Sequence, residues 1–148
     1  VVDTSGFGKS ETIKEIAPYT DLFLWDFKES DEGKHIEFTG VSNIPIRENL
    51  RLVNELGVPV ILRCPIIPGL NDREDHFDGI ASLAAETRCV KEVNVMAFHK
   101  LGDGKYEAFD MENATVDIPA MQNDRKAEII KAISKRISEK TDRNIHVE

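Results

Sequence analysis

The chain has 148 residues, 41% of them hydrophobic and 31% charged, and a net charge of -8 at pH 7, which suits one globular α/β-sized domain with a sizeable core. That charge excludes the basic stripe that nucleic acid requires and the polybasic face that anionic membranes attract. No apolar run approaches the roughly 20 residues that span a bilayer.

In chain order, Val1-Val2 reads as the tail of a strand, with no basic leader before it. Ser10 to Ala17 predicts a short helix with Ile13, Ile16 and Ala17 on one face and Pro18 after its last turn. Asp21 to Phe27 holds a continuous apolar run of strand length, the pattern of a strand covered on both faces. Ser30 is placed to cap a short helix that Gly40 ends. A further helix begins near Pro45, carries Ile46, Leu50, Val53 and Leu56 as its apolar stripe, and closes at Gly57. Val58 to Cys64 is another buried strand. The loop from Ile66 to Asp72 leads into a helix capped by Asn71 or Asp72, with Phe77, Ile80, Ala81 and Ala84 at helical spacing. Val90 to Phe98 is the next strand, and His99 to about Asn123 reads as a long loop. A last helix over about Asp124 to Lys140 turns Ile129, Ile130, Ile133 and Ile137 inward, and Ile145 to Val147 predicts a short terminal strand.

Helices alternating with strands imply a parallel sheet with right-handed crossovers. The units are too few for a closed barrel of eight. The expectation is a single domain over residues 1–148: a partial, TIM-like (β/α) barrel, an open arc of four or five mostly parallel strands with outer helices. Such an arc exposes edges and half a barrel interior, as a piece of something larger would.

In parallel sheets the carboxyl ends of the strands share one rim, where ligands bind. Four polar groups fall there: Asp3-Thr4, Asp26 with Lys28, Arg63, and His99. Asp3, Thr4 and Ser5 are hard oxygen donors suited to a cation or an ammonium, or else they satisfy the amides of a strand-to-helix turn. Asp26 and Lys28 alternate around Phe27 and so share a side, where they grip a zwitterion or neutralise each other. The Arg63 fork suits a carboxylate, or a salt bridge to Asp26. His99 is a ligand contact or a structural histidine. Gly102-Asp103-Gly104 is a turn signal without the helix of a phosphate loop. The two cysteines, Cys64 and Cys89, read as separate reduced thiols of a cytoplasmic protein, and the four histidines are scattered, so no first-row metal site is expected within the chain.

Several blocks carry a resemblance. They are Asp3-Thr4-Ser5-Gly6-Phe7, Asp21 to Lys28, His35 to Asn43, Arg63 to Asp72, and Phe98 to Gly102 with Lys105-Tyr106. In this order they resemble the carboxyl-terminal part of radical S-adenosylmethionine proteins, and more narrowly the activating enzymes of glycyl-radical enzymes, of the pyruvate formate-lyase activating type. The resemblance implies a partial (β/α)6 barrel and an oxidoreductase of anaerobic metabolism. In it a [4Fe-4S] cluster reductively cleaves S-adenosylmethionine, and the resulting 5'-deoxyadenosyl radical takes a hydrogen from a glycine of the partner enzyme, with flavodoxin or ferredoxin as electron donor. It further implies that Asp26, Lys28, Arg63 and His99 contact adenosylmethionine. Asp3, Thr4, the Leu24 carbonyl and Asp26 would hold a monovalent cation, and the His99-to-Tyr106 loop would help seat the glycine-bearing peptide.

The family's three-cysteine cluster motif and its glycine-glycine-glutamate segment are absent, so no iron-sulfur ligand and no catalytic residue is expected in this chain, which by itself should be inactive. Met96-Ala97-Phe98-His99 departs from the family's frequent proline before the aromatic, and Met111 to Asn123 matches nothing in it. Two other readings stand beside this one: a non-catalytic binding module for a partner polypeptide, and a fragment of an ordinary barrel lyase using Lys28 as a Schiff base.

Overall fold

The computed structural model describes residues 1–100 and 115–148; the readings of Gly102, Asp103, Gly104, Lys105, Tyr106 and Met111 lie outside the described residues. Five strands, β1 (Val2–Thr4), β2 (Phe23–Asp26), β3 (Val60–Ile66), β4 (Val90–Ala97) and β5 (His146–Val147), form one parallel sheet in chain order. The helices among the described residues are α1 (Ser10–Ile16), which runs into a 3-10 turn at Ala17–Tyr19, α2 (Glu32–Thr39), α3 (Ile44–Leu56), α4 (Glu74–Glu86) and α5 (Asn123–Lys140). This is the open arc that the alternation of elements implies, and its two edge strands are short, which limits edge-to-edge pairing. No helix among the described residues is long and apolar enough to cross a membrane.

The period of two along each strand divides the sheet. Phe23, Trp25, Val60, Leu62, Cys64, Ile66, Val93 and Val95 are buried on the face that the helices cover, joined by Leu50 and Val53 of α3, Phe77 and Ile80 of α4, and Ile129 and Ile133 of α5. The alternate residues Leu24, Asp26, Ile61, Arg63, Pro65 and Asn94 are only half-buried, and Met96 is exposed. The apolar runs that read as strands covered on both faces are thus covered on one face by the described residues, and the other face is the open interior of the arc.

Helix ends bear out two glycines and correct two caps. Gly40 and Gly57 take left-handed φ values of 78° and 76° and close α2 and α3, as expected of residues that bear no Cβ penalty there. Ser30 does not cap α2: Asp31 does, its carboxylate accepting the Lys34 N–H at 2.8 Å. Neither Asn71 nor Asp72 caps α4, which starts at Glu74 after Arg73 in extended conformation. Both of the side chains proposed for that cap are held elsewhere, Asp72 by Arg125 at 2.5 Å and Asn71 by backbone groups described below. β3 begins two residues later than the sequence pattern suggests, at Val60, and runs to Ile66.

The turn after β1 is set by one glycine. Gly6 has φ 72°, and a Cβ there would lie 1.9 Å from Cζ2 of the buried Trp25 ring. Its carbonyl accepts from Nδ2 of the buried Asn49 at 2.8 Å, so α3 holds the turn from below while the Trp25 ring forbids any side chain in it.

Candidate functional site at the carboxyl rim

Because all strands are parallel, β1, β2, β3 and β4 deliver their last residues to one rim. The register pairs Asp3 with Leu24 and Asp26 with Arg63. Arg63 Nε and Nη2 donate to Asp26 Oδ1 at 2.9 and 2.7 Å, and Nη2 also donates to Asp3 Oδ1 at 2.5 Å. Burial on its own would lower the Arg63 pKa; the bonds and charges of Asp26 and Asp3 outweigh it and raise the pKa. The salt bridge to Asp26 therefore exists, and it lies on the open face rather than in the core. Two carboxylates meeting one guanidinium leave the trio with a net negative charge and unshared carboxylate oxygens.

Lys28 stands next to this trio, exposed and one residue past Phe27, whose N–H makes a sheet-like bond to the Arg63 carbonyl at 2.8 Å. Two clefts meet at it. The first, of about 270 Å³, is lined by Ser5, Phe7, Asp26, Lys28, Thr39 and Ile46, with the buried His35 in its wall. The second, of about 530 Å³, is lined by Lys28, Phe38, Pro65, Ile67, Leu70 and Asn71. Lys28 and Thr39 belong to both. Asp26 and Lys28 thus share a side, as their alternation requires. Thr4 ends β1, just before Ser5 of the first cleft, its Oγ1 accepting the Gly6 N–H at 2.9 Å. His99 is exposed two residues past β4 and is not among the residues lining either cleft.

Directly behind Lys28 the chain changes character. Glu29 is fully buried; its Oε1 accepts from the Ser30 and Asp31 N–H groups at 2.8 and 3.0 Å, and its Oε2 from Arg73 Nη2 at 3.0 Å. Burial would push this carboxyl up, but the His76 imidazole 3.3 Å away, the Asp31 amide and the Arg73 guanidinium hold it at about 2. His76 is also fully buried and lies stacked on Phe27, with ring centroids 6.1 Å apart. Its Nδ1 accepts the Ser30 N–H at 3.1 Å, and its Nε2 has no hydrogen-bond partner among the described residues. Gly79, one turn along α4, lets that helix press on Ser30, since a Cβ there would come within 2.4 Å of the serine Cβ.

Asn71 is the third device. Its Oδ1 accepts the Ile67 N–H at 2.7 Å, and its Nδ2 donates to the carbonyls of Lys28 and Pro65, both at 2.8 Å.

No protein-family model matches the chain. It is 34% identical over 125 residues to the choline trimethylamine-lyase activating enzyme of Oleidesulfovibrio alaskensis, covering 82% of this chain and 40% of that one. It is 31% identical over 130 residues to the pyruvate formate-lyase-activating enzyme of Clostridium pasteurianum, covering 88% and 54%. To the indoleacetate decarboxylase activating enzyme of Tractidigestivibacter scatoligenes it is 39% identical over 114 residues, covering 76% and 35%. The chain belongs to the family of glycyl-radical enzyme activating enzymes. It spans about a third to a half of the length of these relatives. In fold it is similar to a domain of pyruvate-formate lyase-activating enzyme from Bacteroides vulgatus, with a TM-score of 0.72 at 24% identity over 91% of this chain and 74% of that one. Streptococcus suis SuiB bound to its precursor peptide SuiA gives a TM-score of 0.69 at 12% identity, covering 99% and 31%. These two structures speak to the fold alone.

Cys64 and Cys89 are free and buried; burial raises the Cys64 thiol far above its usual range and pushes Cys89 up to about 11. No group of three or more His, Cys, Asp or Glu among the described residues is placed to hold a metal ion. Glu29, His35, Asn71, Arg73 and His76 were not singled out as site residues from the sequence. Glu29 and Arg73 sit in the charge-rich stretches Lys28-Glu29-Ser30-Asp31-Glu32 and Asp72-Arg73-Glu74-Asp75. The available signal was the period of two, which continues past β2 and turns Glu29 inward after Phe23, Trp25 and Phe27.

Proposed function

We propose that this chain is the carboxyl-terminal part of a glycyl-radical enzyme activase and supplies half of its adenosylmethionine site. The supporting observation is the meeting of two clefts at Lys28, beside the Asp3–Arg63–Asp26 trio, in a member of this family. A sulfonium zwitterion carries two positive charges and one negative, and needs carboxylate, cation and oxygen-donor partners in one pocket. Asp26 and Asp3 would face the sulfonium and the ammonium, Lys28 and Arg63 the carboxylate, and His99 the nucleoside. The chemistry supplied there by the bound group is one-electron cleavage of a sulfonium, with the electron coming from a cluster held outside this chain and ultimately from flavodoxin or ferredoxin.

What the chain's own residues do is bind, orient and screen. Lys28 and Arg63 fix the carboxylate end, the apolar walls of the clefts exclude water, and the rigid backbone behind Lys28 keeps the site from adjusting. A monovalent cation would be held by oxygens of Asp3, Thr4, Leu24 and Asp26, and Arg63 Nη2 contacts both of those carboxylates. The second cleft, with Phe38, Ile67 and Leu70 in its walls, suits an extended segment of the partner, pyruvate formate-lyase or a relative. This keeps the binding-module reading as a component of the activase. The lyase reading draws no support, because Lys28 is exposed and not desolvated as a Schiff-base amine requires. Reduced, buried thiols accord with a cytoplasmic setting.

Calorimetric titration of the chain with S-adenosylmethionine and with its uncharged sulfide, S-adenosylhomocysteine, tests this reading. Weak binding is expected for the sulfonium, weaker binding for the sulfide, and loss of that preference in Asp26→Asn. Equal affinity for both compounds, in the wild type as in the variant, would contradict it.

A further inference from the structure

The pairing of β2 with β3 ends at the rim. The two strands are bonded up to the Phe27 N–H and the Arg63 carbonyl. The next donor from β3 toward β2 falls on Pro65, two residues on and facing the same neighbour, and proline has no N–H. The ladder therefore stops, and the Pro65 carbonyl is bonded by Asn71 Nδ2 at 2.8 Å. Beyond this point Lys28 and Pro65 both line the second cleft.

Asn71 replaces what the ladder loses. It is 3% exposed, and its three bonds reach Lys28, Pro65 and Ile67, one amide joining both strand ends and the loop beyond. A buried side chain that satisfies three backbone groups is costly to remove. Here its effect is local. It fixes the peptide carbonyl of the residue whose ammonium stands between the two clefts, while Glu29 and Asn43 hold the following residues from the other side, Asn43 Nδ2 donating to the Glu29 carbonyl at 3.0 Å. We infer that Asn71 is a positioning residue for Lys28: by bridging the ends of β2 and β3 it sets where the lysine ammonium stands and how wide the second cleft opens. The inference rests on Lys28 being a contact for the ligand.

A double-mutant cycle on the full chain separates the two ideas, with S-adenosylmethionine as probe and binding followed by NMR titration into the millimolar range. Lys28→Met should weaken binding about tenfold, and Asn71→Ser about fivefold in the wild-type background but less than about twofold on top of Lys28→Met, because residues acting through one another are not additive. Asn71→Asp, which keeps the acceptor for Ile67 and loses both donors, should behave like Asn71→Ser, and both variants should melt cooperatively. Wild-type affinity in both Asn71 variants alongside a weakened Lys28→Met would overturn the inference. So would an equal loss from Asn71→Ser in both backgrounds, which is the mark of general structural damage. No effect of Lys28→Met, or no binding by the wild type, would remove the reading of Lys28 itself and the positioning role with it.

Discussion

Lys28 and Glu29 are adjacent, both charged, and have opposite fates. Lys28 follows Leu24 and Asp26 onto the open face and stands exposed between two clefts, whereas Glu29 follows Phe23, Trp25 and Phe27 onto the helix side and is fully buried. The difference follows from the pleat, which continues for three residues beyond the last residue of β2. It separates two tasks within one dipeptide. One residue is left free to meet a ligand, and the other locks the turn to α4 through Arg73 and His76. Substitutions on the buried side should therefore act on stability, and those on the open side on binding.

The largest expected effect on the buried side comes from Gly6→Ala, which forces an L-residue into positive φ and drives a methyl into the Trp25 ring. A loss of about 3 kcal/mol or more in denaturant unfolding is expected. Glu29→Ala comes next. It strips Arg73 and His76 of their carboxylate and should cost about 3 kcal/mol, in the range found when one partner of a buried ion pair is removed; an unchanged unfolding midpoint would break the division between the two sides. Glu29 also gives a pH signature. Its folded-state pKa, about 2, lies below the usual 4.5, so the unfolded chain takes up this proton first as pH falls. The stability that the ionised carboxyl contributes is complete above about pH 5 and is lost progressively as pH falls toward 2. Glu29→Gln should flatten that part of the stability curve, and an unaltered slope would show that the carboxyl does not carry it. The smallest effect on stability is expected of Lys28→Met, within about 0.5 kcal/mol of wild type, as for most exposed positions.

A chemical probe sharpens the contrast further. With both cysteines buried and their thiols raised, neither should react with a disulfide reagent until the chain unfolds, and anaerobic reconstitution with iron and sulfide should yield no stable cluster. A cluster assembled on this chain would contradict the placement of its ligands outside it.

The order of strands and the shared rim were legible because apolar runs and the glycines Gly40 and Gly57 punctuate the chain by local rules. Asp26 and Lys28 were legible because they fall at or just past the end of β2, where a period of two sets their side; Arg63, read as ending its strand, lies in the middle of β3, and the same period turns it to the open face. What escaped were the residues whose role depends on partners distant in sequence. Asn71 looks like a helix cap because asparagine before an acidic run usually is one; only the proline two residues into the parted ladder explains its use. Ser30 looked like the cap of α2, but its N–H is held by Glu29 and His76, so the cap moves to Asp31. His76, read as one of four scattered histidines, proves to be fully buried against Phe27.

The most direct measurement is an NMR chemical-shift map of the chain as S-adenosylmethionine is added. Shifts confined to the rim, at Ser5, Phe7, Asp26, Lys28, Thr39, Arg63 and His99, are expected, with the helix-covered face unmoved. Shifts centred on α4 and α5, or a spectrum unchanged at millimolar ligand, would contradict a sulfonium site at this rim.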